Sequence, residues 1–135
     1  MREKLRGPKV EDVAVAIVQH IDELNKKTYN VFLLNLRDDI MEGIIITSKG
    51  YGTDVNGESV KTSTLRHSLE VLLPNEAAKI EPIMEDVFGL ANEYWVSFWV
   101  EDQLFDKKFV FVPESISEQN MKKLPILGEI GVMIK

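Results

Sequence analysis

The sequence predicts an all-β protein, a sandwich or a barrel of short strands, and two observations support this. Short runs rich in β-branched and aromatic residues recur along the 135 residues, with polar and turn-forming residues between them. These runs follow one another at close, regular spacing, which is typical of sandwiches and barrels and not of alternating strands and helices. The length fits one domain, residues 1–135, whose core needs no metal or disulfide to fold.

Seven runs have the length and composition of strands. In chain order they are VAVAIVQHI (13–21), YNVFLLNL (29–36), GIIITSK (43–49), VKTSTLRHSLEVL (60–72), AAKIEPI (77–83), EYWVSFWV (93–100) and KKFVFVP (107–113). After them, Ser115 and Glu118 have the spacing of a capping box, which predicts a short helical turn near the C-terminus. Pro125 should end that turn, and the segment 126–134 is too apolar for a free tail.

One stretch also fits a helix. Apolar residues recur at steps of three and four, at Leu69, Leu72, Leu73, Ala77, Ile80, Met84 and Val87. Pro74 and Pro82 lie inside that stretch, and an interior proline costs a helix about 3 kcal/mol. We therefore prefer strands, and a short helix after Pro74 remains the alternative.

Composition and charge exclude several classes of function. The net charge of −6 argues against non-specific nucleic-acid binding, which needs clustered Lys and Arg. No stretch approaches the ~20 apolar residues of a membrane span, and no leader cleavage site follows the charged start. The chain has no cysteine, which excludes disulfides, a thiol nucleophile and thiolate metal sites. We expect a cytoplasmic protein with no membrane partner and no nucleic-acid partner.

The stretch SKGYGTDVNG (48–57) has the composition of a phosphate-binding loop. A P-loop places its lysine after the glycines and continues into a helix, whereas Lys49 precedes Gly50 and Gly52 here. A polar strand pattern comes directly after Asn56-Gly57, and Asn-Gly between strands favours a tight turn. We therefore predict a connection between two strands, and no cofactor.

No motif in the sequence indicates catalysis or metal binding. The two histidines, His20 and His67, lack the spacing of a metal site, and no serine lies in a nucleophile-elbow motif. Ser63 and Ser68 near His67 satisfy only the loosest form of a catalytic triad. An alternative binding site remains near the Gly50–Gly57 loop. It consists of three polar side chains, Arg66, His67 and Lys49.

The aromatic residues near the C-terminus predict an interaction surface. If residues 93–113 form a hairpin centred on Leu104, Trp99 faces Phe109 and Ser97 faces Phe111. Trp95 and Trp99 then share one side of the hairpin with Phe109 and Phe111, while the other side is apolar as well. A sandwich strand that faces water should be polar on one side. The N-terminal segment, the C-terminal tail, a second subunit or a ligand should therefore cover one of these faces.

The segments IITSKGYG, KTSTLRH, AKIEPI and NEYWVSFWVEDQLFDKKFVFVPESI together resemble a family of small uncharacterised bacterial proteins, over most of the chain. The resemblance implies an immunoglobulin-like sandwich, in agreement with the strand count, and no established activity, cofactor or catalytic residue. Some members carry the label phenylalanyl-tRNA synthetase subunit. The residues do not support that label, because the chain is acidic and far shorter than a synthetase catalytic domain.

Together these observations predict an immunoglobulin-like β-sandwich of about seven strands with a short C-terminal helical turn. We expect a non-enzymatic module that binds a protein partner, or a second copy of itself, through Trp95, Trp99, Phe109 and Phe111. The alternative is a small-molecule-binding protein or a minor enzyme whose polar site contains Arg66 and His67.

Nucleotide titration tests the interpretation of the SKGYGTDVNG stretch. We expect ATP or GTP, with or without magnesium, to give no saturable heat in calorimetry, because no helix N-terminus comes after the glycines. Lys49→Ala should not change that result. Saturable binding that disappears in Lys49→Ala would contradict the assignment of this stretch as a connection.

Overall fold

The structure, a computed structural model, describes residues 8–135 as two antiparallel five-stranded sheets that share one core. The strands are β1 (Val13–Ile21), β2 (Lys27–Asn35), β3 (Met41–Thr53), β4 (Ser59–Lys61), β5 (Leu65–Leu72), β6 (Glu76–Ile83), β7 (Ala91–Val100), β8 (Gln103–Phe111), β9 (Lys122–Lys123) and β10 (Ile130–Ile134). The first sheet has the order β6-β2-β1-β10-β9. The second has the order β4-β3-β7-β8, and β5 also pairs with β3.

The all-β prediction is confirmed, and the fold is a β-sandwich. The helical alternative is wrong, because residues 69–87 contain the end of β5, all of β6 and a single 3₁₀ turn at Glu85–Val87. Where one strand was predicted over 60–72, the chain forms β4 and β5 separately. The immunoglobulin-like connectivity is not confirmed. The single-domain prediction stays a prediction, and its residues 1–7 lie outside the described residues, as does most of the charged start.

β1 is apolar on both faces, which places it at the centre of the first sheet. Val13, Val15 and Ile17 point towards the second sheet and join the main core. The alternate residues, including Ala14 and Ala16, point the other way and are equally buried. Burying one large apolar side chain stabilises a fold by about 1.5–3 kcal/mol, so this strand contributes on both sides.

The C-terminal segment covers the outer face of the first sheet. β10 pairs with β1, so that Ile17 is opposite Val132. Leu124, with Leu127 against it, packs on Ala14, Ala16 and Val18 in a second hydrophobic cluster. The small alanine side chains let the segment approach the sheet closely. The tail is therefore packed, as predicted, but its position over the Trp/Phe face is wrong.

The predicted capping box does not form. A 3₁₀ turn does occur at Glu118–Asn120, but it begins after Ser117 and no side chain caps it. The Ser115 hydroxyl instead donates to the carbonyl of Val112, 2.6 Å away. The Glu118 carboxylate contacts the Lys27 ammonium, which lowers the pKa of Glu118 and raises the pKa of Lys27.

The SKGYGTDVNG stretch connects two strands, as predicted, but its first half belongs to β3. Gly50 and Gly52 lie within that strand, and the turn begins only at Asp54. The Asp54 carboxylate accepts hydrogen bonds from the backbone N–H groups of Asn56 and Glu58, at 2.9 and 3.0 Å. Gly57 has a φ of +78°, a conformation that glycine adopts without strain.

In the part of the chain that the structure describes, no helix is long and apolar enough to span a membrane.

Gly131 tests the close packing of the tail. A Cβ atom there would meet the carbonyl oxygen of Ile17 and lie 2.8 Å from Leu124 Cδ1. Because the backbone of β1 cannot move aside, Gly131→Ala should lower the free energy of unfolding by about 2 kcal/mol in urea denaturation. Gly89→Ala is the control, since its Cβ would meet only Glu114 at 3.4 Å. Equal stability of the two variants would contradict this packing.

Candidate functional site

The β7–β8 hairpin has a tighter turn than the sequence predicted. Its two turn residues are Glu101 and Asp102, with Glu101 in the left-handed region at a φ of +52°. Trp99 therefore faces Leu104 and not Phe109. The prediction of a hairpin centred on Leu104 is wrong, because Glu-Asp carries none of the usual signals for a two-residue turn.

This register separates the four predicted aromatic residues. The partner of Trp99 is displaced by five residues, and an odd displacement moves side chains to the opposite face of a strand. Phe109 and Phe111 are buried in the main core, where the Phe111 ring packs edge-on against Tyr94. Trp95 and Trp99 lie on the outer face and are 45% and 42% exposed. The four-residue aromatic surface is thus wrong, and its two tryptophans remain.

The outer face of the second sheet carries apolar side chains between charges of both signs. Its cross-strand rows run Arg66, Thr47, Trp95, Lys108; then Ser68, Ile45, Ser97, Asp106; then Val71, Glu42, Trp99, Leu104. We call this surface the tryptophan face. Val71 and Leu104 are 49% and 42% exposed, which extends the apolar area around Trp99. The row of Trp95 thus contains two cations, of which Lys108 is adjacent to the indole, while the Glu42 carboxylate is adjacent to Trp99.

Both tryptophans are held in place by their neighbours. The register between β3 and β7 shifts between Glu42 and Ile45, and Gly43 within that bulge has a φ of +53°. A Cβ atom on Gly43 would lie 3.2 Å from Trp99 Cδ1, so the indole rests on the glycine. The Lys108 ammonium lies 5.7 Å from the Trp95 ring centroid, within range of a cation–π interaction.

The alternative polar site is divided between the two faces of the second sheet. Arg66 is opposite Thr47 on the outer face, whereas its neighbour His67 is opposite the buried Ile46. Adjacent residues of a strand point to opposite faces, so these two side chains cannot converge. Lys49 is also on the outer face, with its Nζ 3.8 Å from Glu93 Oε2. The prediction that Arg66, His67 and Lys49 form one site is wrong.

His67 instead belongs to a polar cluster between the sheets, which we call the seam cluster: Ser48, His67 and Glu81. The His67 Nε2 and the Ser48 Oγ lie 2.7 and 2.8 Å from the same oxygen, Oε1 of Glu81. A carboxylate only accepts, so the histidine Nε2 carries a proton here. Ser48 and His67 come from the second sheet and Glu81 from β6 of the first.

A β-bulge directs Glu81 into the molecule. The pairing of β2 with β6 shifts between Val31 and Phe32, which leaves Ile80 as an extra residue. Glu81 is therefore opposite the buried Val31, and its side chain is 11% exposed. Glu81 was not predicted as a site residue, because strict alternation gives no warning of a bulge. The sequence does contain one indication that Glu81 is buried, namely its position among apolar residues in AAKIEPI.

The seam cluster does not have the geometry of a catalytic triad. In a triad the histidine lies between the serine and the carboxylate, whereas here serine and histidine both bind the carboxylate. Burial and then the Glu81 carboxylate raise the pKa of the nearby Tyr94, which keeps that hydroxyl protonated. Among residues 8–135, no group of three potential His, Asp or Glu ligands is placed to hold a metal ion.

Comparison with protein-family models, curated proteins and solved structures found no significant match to this chain.

A double-mutant cycle tests the seam cluster. His67→Ala and Glu81→Ala should each lower the free energy of unfolding, with a coupling of about 1 kcal/mol between them, because they share one hydrogen bond. Arg66→Ala combined with Glu81→Ala is the control. It should be additive, since Arg66 points to the other face. Coupling of Arg66 equal to that of His67 would contradict the geometry.

Proposed function

We propose that this protein is a non-enzymatic interaction module and that the tryptophan face is its binding surface. The observation that carries the proposal is the difference between the two outer sheet faces. The C-terminal segment covers the apolar outer face of the first sheet. No such cover occurs among residues 8–135 on the second, where Trp95 and Trp99 remain 45% and 42% exposed.

The exposed area suits a docking surface energetically. Aromatic residues are enriched at the centres of protein interfaces, where a few of them supply most of the binding energy. Trp95 and Trp99 lie four residues apart on a strand with neighbours on both sides, so little conformational entropy is lost when they dock. Val71 and Leu104 add apolar area around Trp99.

Charge favours a second copy of this chain as the partner. Arg66 and Lys108 lie in the row of Trp95, and Glu42 lies in the row of Trp99. A two-fold axis in the plane of the interface and across the strands puts the Trp95 row of one copy over the Trp99 row of the other. Arg66 then lies opposite Val71 of the second copy and one strand away from its Glu42 carboxylate, within reach of a long side chain. The two copies of Asp106 face each other in the row on the axis, so the two Arg66–Glu42 pairs must outweigh that repulsion.

Phe109 and Phe111 are no longer part of the proposed surface, because they form core contacts. Both side chains belong to the core between the sheets, where the Phe111 ring contacts Tyr94 of β7. The bacterial family and the cytoplasmic location remain proposals from the sequence.

Sedimentation and fluorescence test the proposed dimer. The wild type should associate as concentration rises, and its two tryptophans should become protected from acrylamide over the same range. Trp99→Glu should yield a folded monomer at every concentration, because a buried carboxylate opposes association. Leu24→Glu is the control, since Leu24 is 89% exposed in the β1–β2 turn, away from this face.

A charge exchange distinguishes a second copy from any other partner. Arg66→Glu and Glu42→Arg should each weaken dimerisation, and the double variant should restore it, because the contact between copies is re-formed with its signs reversed. A wild type that stays monomeric at high concentration, with both tryptophans accessible to acrylamide, refutes the proposal.

A further inference from the structure

A cavity of about 350 Å³ lies next to the seam cluster, at the end of the sandwich. Its polar lining includes Ser48, Glu81, Asn92 and Tyr94, and Asp86 lines it as well. The space exists because β3 changes partners: it pairs with β5 up to Ser48 and with β4 from Tyr51 onwards. The intervening residues 62–64 leave the strand ladder and border the opening.

One carboxylate oxygen of Glu81 takes no part in the seam cluster. Its Oε1 accepts from Ser48 and His67, at 2.8 and 2.7 Å. Both of its side-chain hydrogen bonds within residues 8–135 are made by Oε1, which leaves Oε2 available at the cavity. The bulge at Ile80 turns this side chain inwards, and bulges that re-aim a side chain are common beside binding and active sites. The seam cluster therefore orients the Glu81 carboxylate and leaves one of its two oxygens available for another hydrogen bond.

Tyr94 is a second polar group without a partner in this cavity. The residue is only 2% exposed, it lines the cavity, and its hydroxyl makes no hydrogen bond within residues 8–135. Tyrosine hydroxyls in the interior usually have a hydrogen-bond partner, so this hydroxyl, which opens onto the cavity, is available to a bound molecule. The burial that raises its pKa also keeps the group neutral, able to donate and to accept.

The other polar groups at the cavity also favour a cationic ligand. The Asn92 amide nitrogen donates to the carbonyls of Val87 and Leu90, at 3.0 and 3.1 Å, which leaves its oxygen as the free end. Lys49 borders the cavity, but its Nζ is on the outer face near Glu93. The hydroxyl groups of Thr62 and Ser63 also line the cavity and can either donate or accept. With Lys49 directed to the outer face, the remaining charged groups at the cavity are two carboxylates, Glu81 and Asp86.

We propose that this cavity binds a small aliphatic primary amine in its ammonium form. The ammonium group donates to Glu81 Oε2 and to the Tyr94 hydroxyl, and a charge-assisted bond in a buried site is among the stronger polar contacts. Leu65, Ile83 and Val87 provide an apolar wall for a short carbon chain. Asp86 lies exposed at the cavity and suits a second ammonium group, so a diamine should bind more tightly than a monoamine.

This site is separate from the tryptophan face. The cavity lies between the two sheets, whereas Trp95 and Trp99 lie on the outer surface of the second. Loss of one activity therefore leaves the other intact, and the two proposals fail independently.

The test uses 1-butylamine, 1,4-diaminobutane and the uncharged 1-butanol as probes of the full chain. Both amines should shift the backbone amide resonances of Ser48, Asn92 and Tyr94 saturably in NMR, and 1-butanol should not. Glu81→Gln keeps the size of the side chain and removes its charge, so it should weaken amine binding at least tenfold. Leu24→Glu, in the β1–β2 turn and not part of the cavity lining, should bind as the wild type does.

A second variant separates ligand binding from a purely structural role. Tyr94→Phe leaves the bonds among Ser48, His67 and Glu81 intact, so it should fold and still bind the amines several-fold more weakly. If Glu81→Gln does not fold, the amine affinity of Tyr94→Phe decides whether the cavity binds the ligand. Absence of saturable shifts in the wild type, equal shifts with 1-butanol, or unchanged affinity in Tyr94→Phe overturns the proposal.

Discussion

The packing of the C-terminal segment on β1 is the contact on which the rest of the arrangement depends. β1 is apolar on both faces, and only a cover on its outer side removes Ala14, Ala16 and Val18 from water. β10 and Leu124 supply that cover, with Gly131 at the point of closest approach. Because the tail packs on the first sheet, it does not cover the outer face of the second sheet. For this reason the tryptophan face remains exposed to solvent.

Two irregularities in the sheets direct the side chains on which the two proposed sites depend. Gly43, in the bulge of β3, has no Cβ atom and so lets the indole of Trp99 approach the strand closely. The bulge at Ile80 turns Glu81 from the solvent side to the seam between the sheets. In both cases one extra residue changes the face that the next residues occupy. A regular pair of sheets would have neither a supported Trp99 nor an inward carboxylate beside Tyr94.

The seam cluster joins the sheets at the edge where β5 and β6 meet. A buried carboxylate is costly unless hydrogen bonds satisfy it, and Ser48 and His67 supply two. The same bonds hold Glu81 in one orientation beside the cavity. The structural bonds and the proposed contact with an amine therefore use different oxygens of one side chain.

The sequence by itself determined the strand character of this protein. Strand runs such as 13–21 and 93–100, with short polar connections, predict most of the sheet residues, because period-two patterns and turn chemistry are local. The runs miss β9, β10 and parts of β3 and β8. Tertiary structure decided which faces those strands present. The Glu101-Asp102 turn fixed the β7–β8 register, and a shift by an odd number of residues moved Phe109 and Phe111 into the core while Trp95 and Trp99 stayed outside. The Glu81 contacts join residues 14 and 33 positions apart in different sheets. Such pairing depends on how the sheets pack and not on any local pattern, so only the folded chain reveals it.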